Sequence, residues 1–347
     1  MKKNILVVSK SPLVRNFLKK IIEKNNYNSE FAKNIEEIQS TYDLIILDLD
    51  TLDIDPTQLI KNIIARKPTR TLVIASEENE EKILKALEAG ALDYIVKPSK
   101  VGISLQTKEK EIEEKISQIL KIPKIKVLLN KPKSLKKDLK NIKEVKLSLY
   151  KPKDDLKYIL IGASTGGPRL IETILRTLPE NYPYPLCIVQ HMPKNFTKRF
   201  AERLNSISKL KVVEAKNGEE VVKGKAIIGK GGWHLHFARR EEDNTVITKL
   251  APNTSKRFFV PSVDEMFLSA LKVIDPKKIV AVLLTGIGDD GAEGMVALKK
   301  AGAYTIAESE ETAVVYGMPK EAYLRGGATK VLPFPKIVEE ILKLGEK

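Results

Sequence analysis

Chemistry in this chain starts at one serine flanked by small residues. Gly162-Ala163-Ser164-Thr165-Gly166 satisfies G-x-S-x-G, the spacing of a nucleophile elbow, where small neighbours permit a sharp strand-to-helix turn that exposes the hydroxyl above a sheet edge. Tyr158-Ile159-Leu160-Ile161 precedes it as a buried strand. Pro168 suits the first turn of a helix, and Leu170, Ile171, Ile174, Leu175 and Leu178 recur at the spacing that buries one helical face over Arg169 to Leu178. Ser164 then sits at a helix N-terminus, where unpaired amides of the turn, at Thr165 and Gly166, could hold a developing oxyanion. The same turn could bind a phosphate or merely close a corner. However, Gly162, Gly166 and Gly167 match neither the dinucleotide fingerprint nor the P-loop.

A serine nucleophile needs a base. Leu186-Cys187-Ile188-Val189-Gln190-His191 reads as a strand that ends in a histidine, and its distance from Ser164 matches the roughly 30 residues of a strand, crossover helix and parallel strand. A further strand, Ile279 to Leu284, runs into Thr285-Gly286-Ile287-Gly288-Asp289-Asp290. If all three strands are parallel, serine, histidine and carboxylate meet at the carboxyl edge, where α/β sheets bind their ligands. The expected geometry is a carboxylate on Nδ1 of His191 with Nε2 facing Ser164. Two plainer readings compete: Asp289 or Asp290 caps the following helix, and His191 is an ordinary surface residue. Spacing leaves the choice between the two aspartates open.

These residues need a sheet beneath them. With 347 residues, the chain is long for one domain and comfortable for two. Ile5 to Val8, Leu44 to Leu47, Leu72 to Ala75 and Tyr94 to Val96 are short continuous apolar runs, as strands covered on both faces should be. Helical patterns such as Leu13, Phe17, Leu18, Ile21, Ile22 and Ile83, Leu84, Leu87 separate them. The expected fold class is therefore α/β, with two doubly wound parallel-sheet domains over 1–120 and 156–347 and a lysine-rich connector over 121–155. One short helix is expected within 136–145.

The net charge is +15, but thirteen lysines against four acids fall between Lys121 and Lys157. Charge in a connector argues against nucleic acid, which is gripped by basic side chains on a folded face. The single cysteine, Cys187, lies in an apolar run and reads as a buried structural thiol. Without a secretory leader or a run of about 18 apolar residues, the expectation is a soluble, cytoplasmic protein.

The first 120 residues resemble the receiver domain of two-component response regulators, a flavodoxin-like fold. Asp48 stands where receivers carry the phospho-accepting aspartate, and Lys97-Pro98 matches the lysine and proline that end the fifth strand. The resemblance implies a Mg²⁺ site and phosphorylation at Asp48. However, Ser9-Lys10 replaces the family's metal-binding acid pair, and Ala75 or Ser76 stands where a Thr or Ser contacts the phosphoryl group. A degenerate receiver is expected, with Lys10 placed to pair with Asp48 in the metal's stead.

The second half resembles the chemotaxis protein-glutamate methylesterases. Gly162 to Pro168, Gln190-His-Met-Pro193, Pro261-Ser-Val-Asp264, Thr285 to Gly291 and Val315 to Pro319 are similar to that family's signature segments. The resemblance implies a Rossmann-like esterase domain with a β-hairpin insertion. It places the family's serine, histidine and aspartate at Ser164, His191 and Asp290, with Ile287 beside the oxyanion and no cofactor or metal for catalysis. The implied reaction is hydrolysis of glutamate methyl esters on methyl-accepting chemotaxis receptors, with deamidation of receptor glutamines. The implied partners are those receptors and the chemotaxis histidine kinase, with membrane contact only through the receptors. His234 and His236 alternate on a strand. A zinc pair would need Cys or carboxylate ligands at ligand spacing, and His234 is expected at the rim of the site instead. The competing class is a phosphate-binding or scaffold module of a two-component system that lacks turnover.

Overall fold

In the computed structural model, residues 2–35, 41–66, 69–97, 108–123 and 157–346 are described, and the expected helix within 136–145 lies outside them. The described residues fall into two compact units, split in the connector.

In the first unit, β1 (Asn4–Val8), β2 (Asn28–Ala32), β3 (Leu44–Asp48), β4 (Arg70–Ser76) and β5 (Asp93–Lys97) form a parallel sheet ordered β2-β1-β3-β4-β5. This is the flavodoxin-like order, with its switch point between β1 and β3. Helices α1 (Pro12–Lys24), α2 (Pro56–Arg66), α3 (Glu80–Ala89) and α4 (Glu109–Lys121) accompany it. The apolar runs of β1, β3, β4 and β5 are buried as predicted, whereas β2, Asn-Ser-Glu-Phe-Ala at the sheet edge, alternates exposed and half-buried positions and carries no such run. The buried stripe of α1 is Val14, Leu18, Ile21 and Ile22; Leu13, expected on that face, is 59% exposed because the helix starts at Pro12 behind the Ser11 cap and turns it outward.

The second unit carries a seven-stranded parallel sheet. Its members are β6 (Tyr158–Ala163), β7 (Leu186–Gln190), β8 (Lys211–Glu214), β9 (Lys225–Ile228), β12 (Ile279–Leu283), β13 (Tyr304–Glu308) and β14 (Lys330–Leu332), ordered β14-β13-β12-β6-β7-β9-β8. The antiparallel hairpin β10 (His234–Arg239) and β11 (Val246–Ala251) is the expected insertion. The first strand of the unit, β6, lies between β12 and β7, so the strand order reverses beside it. Helix α5 (Gly167–Thr177) buries Leu170, Ile171, Ile174 and Leu175; it is followed by α6 (Phe196–Ile207). On one face of the sheet, Leu160, Cys187, Val189, Ala281 and Leu283 share a core with Val263, Met266 and Phe267 of α7 (Val263–Leu271) and with Met295 and Leu298 of α8 (Ala292–Lys300). α9 (Met318–Leu324) and α10 (Phe334–Glu346) complete the unit. Among the described residues, no helix is long and apolar enough to cross a membrane.

Candidate active site

Register brings the first two residues together. Ala163 pairs with Gln190 at the ends of β6 and β7, so Ser164 and His191 leave the sheet side by side, and the His191 amide donates to the Ala163 carbonyl at 3.1 Å. On the other flank, the Ser164 amide donates to the Thr285 carbonyl just beyond β12 (2.9 Å). The elbow is built from close approaches. Gly166 has φ +80°, and a Cβ there would meet Val314 at 2.8 Å; a Cβ on Gly286 would meet Met318 Sδ at 2.1 Å and Ser164 Cβ at 2.8 Å. The Gly286 backbone therefore lies directly against the serine. Glu308, fully buried, accepts from the Thr285 amide at 2.8 Å and holds this turn from below.

His191 Nε2 lies 2.7 Å from Asp290 Oδ2, while its Nδ1 is buried with no hydrogen-bond partner. The pairing is opposite in ring sense to the expected one: the carboxylate takes Nε2, and Nδ1 is the nitrogen left for the serine. Asp290 reaches the far nitrogen because it is fixed elsewhere, by the N-terminus of α7. Its Oδ2 also accepts from Val263 N (2.7 Å), and its Oδ1 accepts from Ser262 Oγ (2.7 Å) and Asp264 N (3.0 Å). Burial works to raise this carboxyl, but His191, Ser262 and the Val263 amide outweigh it and hold it below the usual carboxylate range. Asp290 does cap a helix, as the plainer reading had it, although the helix is α7 and not the one that follows. Asp289 points away, paired with Arg325 at 2.6 Å and 61% exposed.

The role of Ser262-Val263-Asp264 escaped sequence reasoning. A signal exists in Ser262-x-x-Glu265, a capping box, and the Glu265 amide does donate to Ser262 Oγ (3.3 Å). Asp264 is buried and accepts from the Gly294 amide (2.8 Å), with Arg257 Nη1 3.5 Å away. Burial first, and then the Asp290 carboxylate, push its carboxyl well above the usual range. A proton affinity raised by folding contributes stability at acid pH that is lost as pH rises through the folded value. Asp264→Asn should therefore raise the thermal unfolding midpoint at about pH 8 and change it less at about pH 5.

His234 is not at the rim. It is 1% exposed, because its Nδ1 accepts from the Ser262 amide (3.1 Å) and its Nε2 meets Asn253 Oδ1 (3.1 Å), which fixes it behind the α7 N-terminus. His236 Nε2 pairs with Glu265 (2.9 Å). Cys187 is buried in the core, and burial pushes its thiol up.

In the first unit, Asp48 is fully buried at the switch point. Its Oδ2 accepts from Ser9 Oγ (2.6 Å) and its Oδ1 from Lys97 Nζ. Lys97 also reaches Asp50 Oδ2 (3.0 Å), and Asp50 in turn accepts from the Ser76 amide (2.8 Å) and Asn79 Nδ2 (2.7 Å). Lys10 does not pair with Asp48. It turns outward to Asp53 (2.7 Å), since Lys97 already supplies the buried counter-charge.

The second unit is thus a doubly wound parallel sheet that brings a serine, a histidine and a carboxylate to its switch point, and the first is a flavodoxin-like unit. A family model described as CheB methylesterase matches residues 159–341, and one described as response regulator receiver domain matches 5–105. The chain belongs to the CheB methylesterase family. It is 40% identical to protein-glutamate methylesterase/protein-glutamine glutaminase 2 of Carboxydothermus hydrogenoformans over 98% of both chains. It is 37% identical to the protein of the same name, without the number, from Caldanaerobacter subterraneus, over 99% of this chain and 97% of the relative. The crystal structure of the Thermotoga maritima CheB methylesterase catalytic domain matches with 42% identity and a TM-score of 0.52, covering 55% of this chain and 98% of that one.

Proposed function

We propose that this chain hydrolyses γ-glutamyl methyl esters on chemotaxis receptors to carboxylate and methanol, and deamidates receptor glutamines, through Ser164, His191 and Asp290. The observation that carries this is the His191–Asp290 pair beside Ser164 at the sheet edge, in a chain similar end to end to protein-glutamate methylesterase/glutaminases. Ser164 Oγ attacks the ester carbonyl as His191 Nδ1 takes its proton. The imidazolium is stabilised through Nε2 by Asp290, and the oxyanion by the Ile287 amide with the Thr165–Gly166 turn. Collapse expels methoxide, which leaves as methanol with the proton from Nδ1. Water, deprotonated by the same nitrogen, then releases the glutamate and restores the serine. An amide substrate follows the same steps and releases ammonia. Methanol release from methylated receptor membranes tests the reading; no release by intact protein would favour a scaffold module.

The receptors, and a histidine kinase acting on the receiver unit, are the proposed partners. The receiver family's Mg²⁺ needs a set of oxygen ligands. The residues present do not fit it: both oxygens of Asp48 are taken by Ser9 and Lys97, Asp50 is taken up by Ser76, Asn79 and Lys97, and Ser9 and Lys10 offer no carboxylate. Acetyl phosphate with Mg²⁺ is therefore expected to change esterase activity by less than about twofold, and Asp48→Asn to change it as little. A several-fold, Mg²⁺-dependent activation that vanishes in Asp48→Asn would show that Asp48 is still phosphorylated.

A further inference from the structure

The hydrogen bond from His191 Nε2 to Asp290 fixes one ring atom and leaves the ring plane free to swing about that point. Something else must set the plane. Phe259 lies flat on the imidazole, with ring centroids 3.9 Å and planes 9° apart. Phe258 meets Phe259 edge-on at 4.9 Å and 86°, while remaining 68% exposed itself. The segment that carries them is tied down on both sides. Asn253 accepts from the Arg257 amide and donates to the Arg257 carbonyl, both at 2.9 Å. The Arg257 guanidinium reaches Glu293 at 3.0 Å, and the Gly232 amide donates to the Val260 carbonyl at 3.1 Å.

We propose that Phe259 is a positioning residue for His191, holding the imidazole plane so that Nδ1 stays available to Ser164 and lending its π face to the imidazolium formed in each half of the acyl transfer. An aromatic face beneath a cation is worth about 0.5–2 kcal/mol, or roughly two- to thirty-fold in rate. The inference rests on the reaction proposed above. A methyl or isobutyl group in the same space would fill volume but offer no flat face and no quadrupole.

The test measures kcat and KM for methanol release from methylated receptor membranes by wild type, Phe259→Leu, Phe259→Met and Phe259→Tyr, with thermal unfolding of each. Leu and Met should each lower kcat about tenfold with KM and the unfolding midpoint little changed, and Tyr should restore most of kcat. A Leu variant with wild-type kcat, or a Tyr variant as impaired as Leu, would overturn the role of Phe259 while leaving the reaction standing. A wild type that releases no methanol would remove the reaction and this role with it.

Discussion

Asp290→Asn should lower kcat by about three to four orders of magnitude, while Asp289→Asn should stay within about twofold of wild type. At Asp290, each oxygen already serves two donors: Oδ2 takes His191 Nε2 and Val263 N, and Oδ1 takes Ser262 Oγ and Asp264 N. An asparagine must put its NH₂ on one of these sides. Placed toward Oδ2, it opposes the Val263 amide and forces Nε2 to accept, which moves the ring proton to Nδ1, the nitrogen that has to receive the serine proton. Placed toward Oδ1, it opposes the Asp264 amide and leaves a buried donor unpaired. Asp289 makes only an exposed ion pair with Arg325, of a kind worth little. Rates of ester hydrolysis by the two variants decide the matter. Equal losses would remove the assignment of the acid and leave Ser164 and His191 in place.

His191→Ala should lower kcat by about 10⁴-fold or more, and adding Ser164→Ala should cost little further, because the residues act as one unit. Without the imidazole, Ser164 has no acceptor for its proton, and the buried Asp290 charge loses one of its four donors while keeping those of α7. The fold should therefore survive. Steady-state rates of the single and double variants test the coupling; losses that multiply would mean that the two side chains work independently.

Much of this was legible because parallel strands covered on both faces must be apolar throughout. That rule found β1, β3 to β7 and β12, and strand adjacency alone brought Ser164, His191 and the Asp289–Asp290 loop to one edge. It missed the edge strands β2, β8 and β14, which need no continuous apolar run, and also the inner strands β9 and β13, whose Lys-Ala-Ile-Ile and Tyr-Thr-Ile-Ala-Glu are short or interrupted by polar residues. Ring orientation at His191 was not legible either. It depends on where the α7 N-terminus holds Asp290, a contact between residues 27 positions apart with no periodic trace. The burial of His234 has the same cause, since it is set by the amide of Ser262. Lys10 was misjudged because substitution of an acid pair says which charge is present but not that Lys97 already occupies the space beside Asp48.

The most direct measurement of the central claim is methanol release from methylated receptor membranes by wild type and Ser164→Ala side by side. Release by wild type with Ser164→Ala at the level of the membranes alone is the predicted result. Release by Ser164→Ala at more than about a hundredth of the wild-type rate would contradict acyl transfer through this serine.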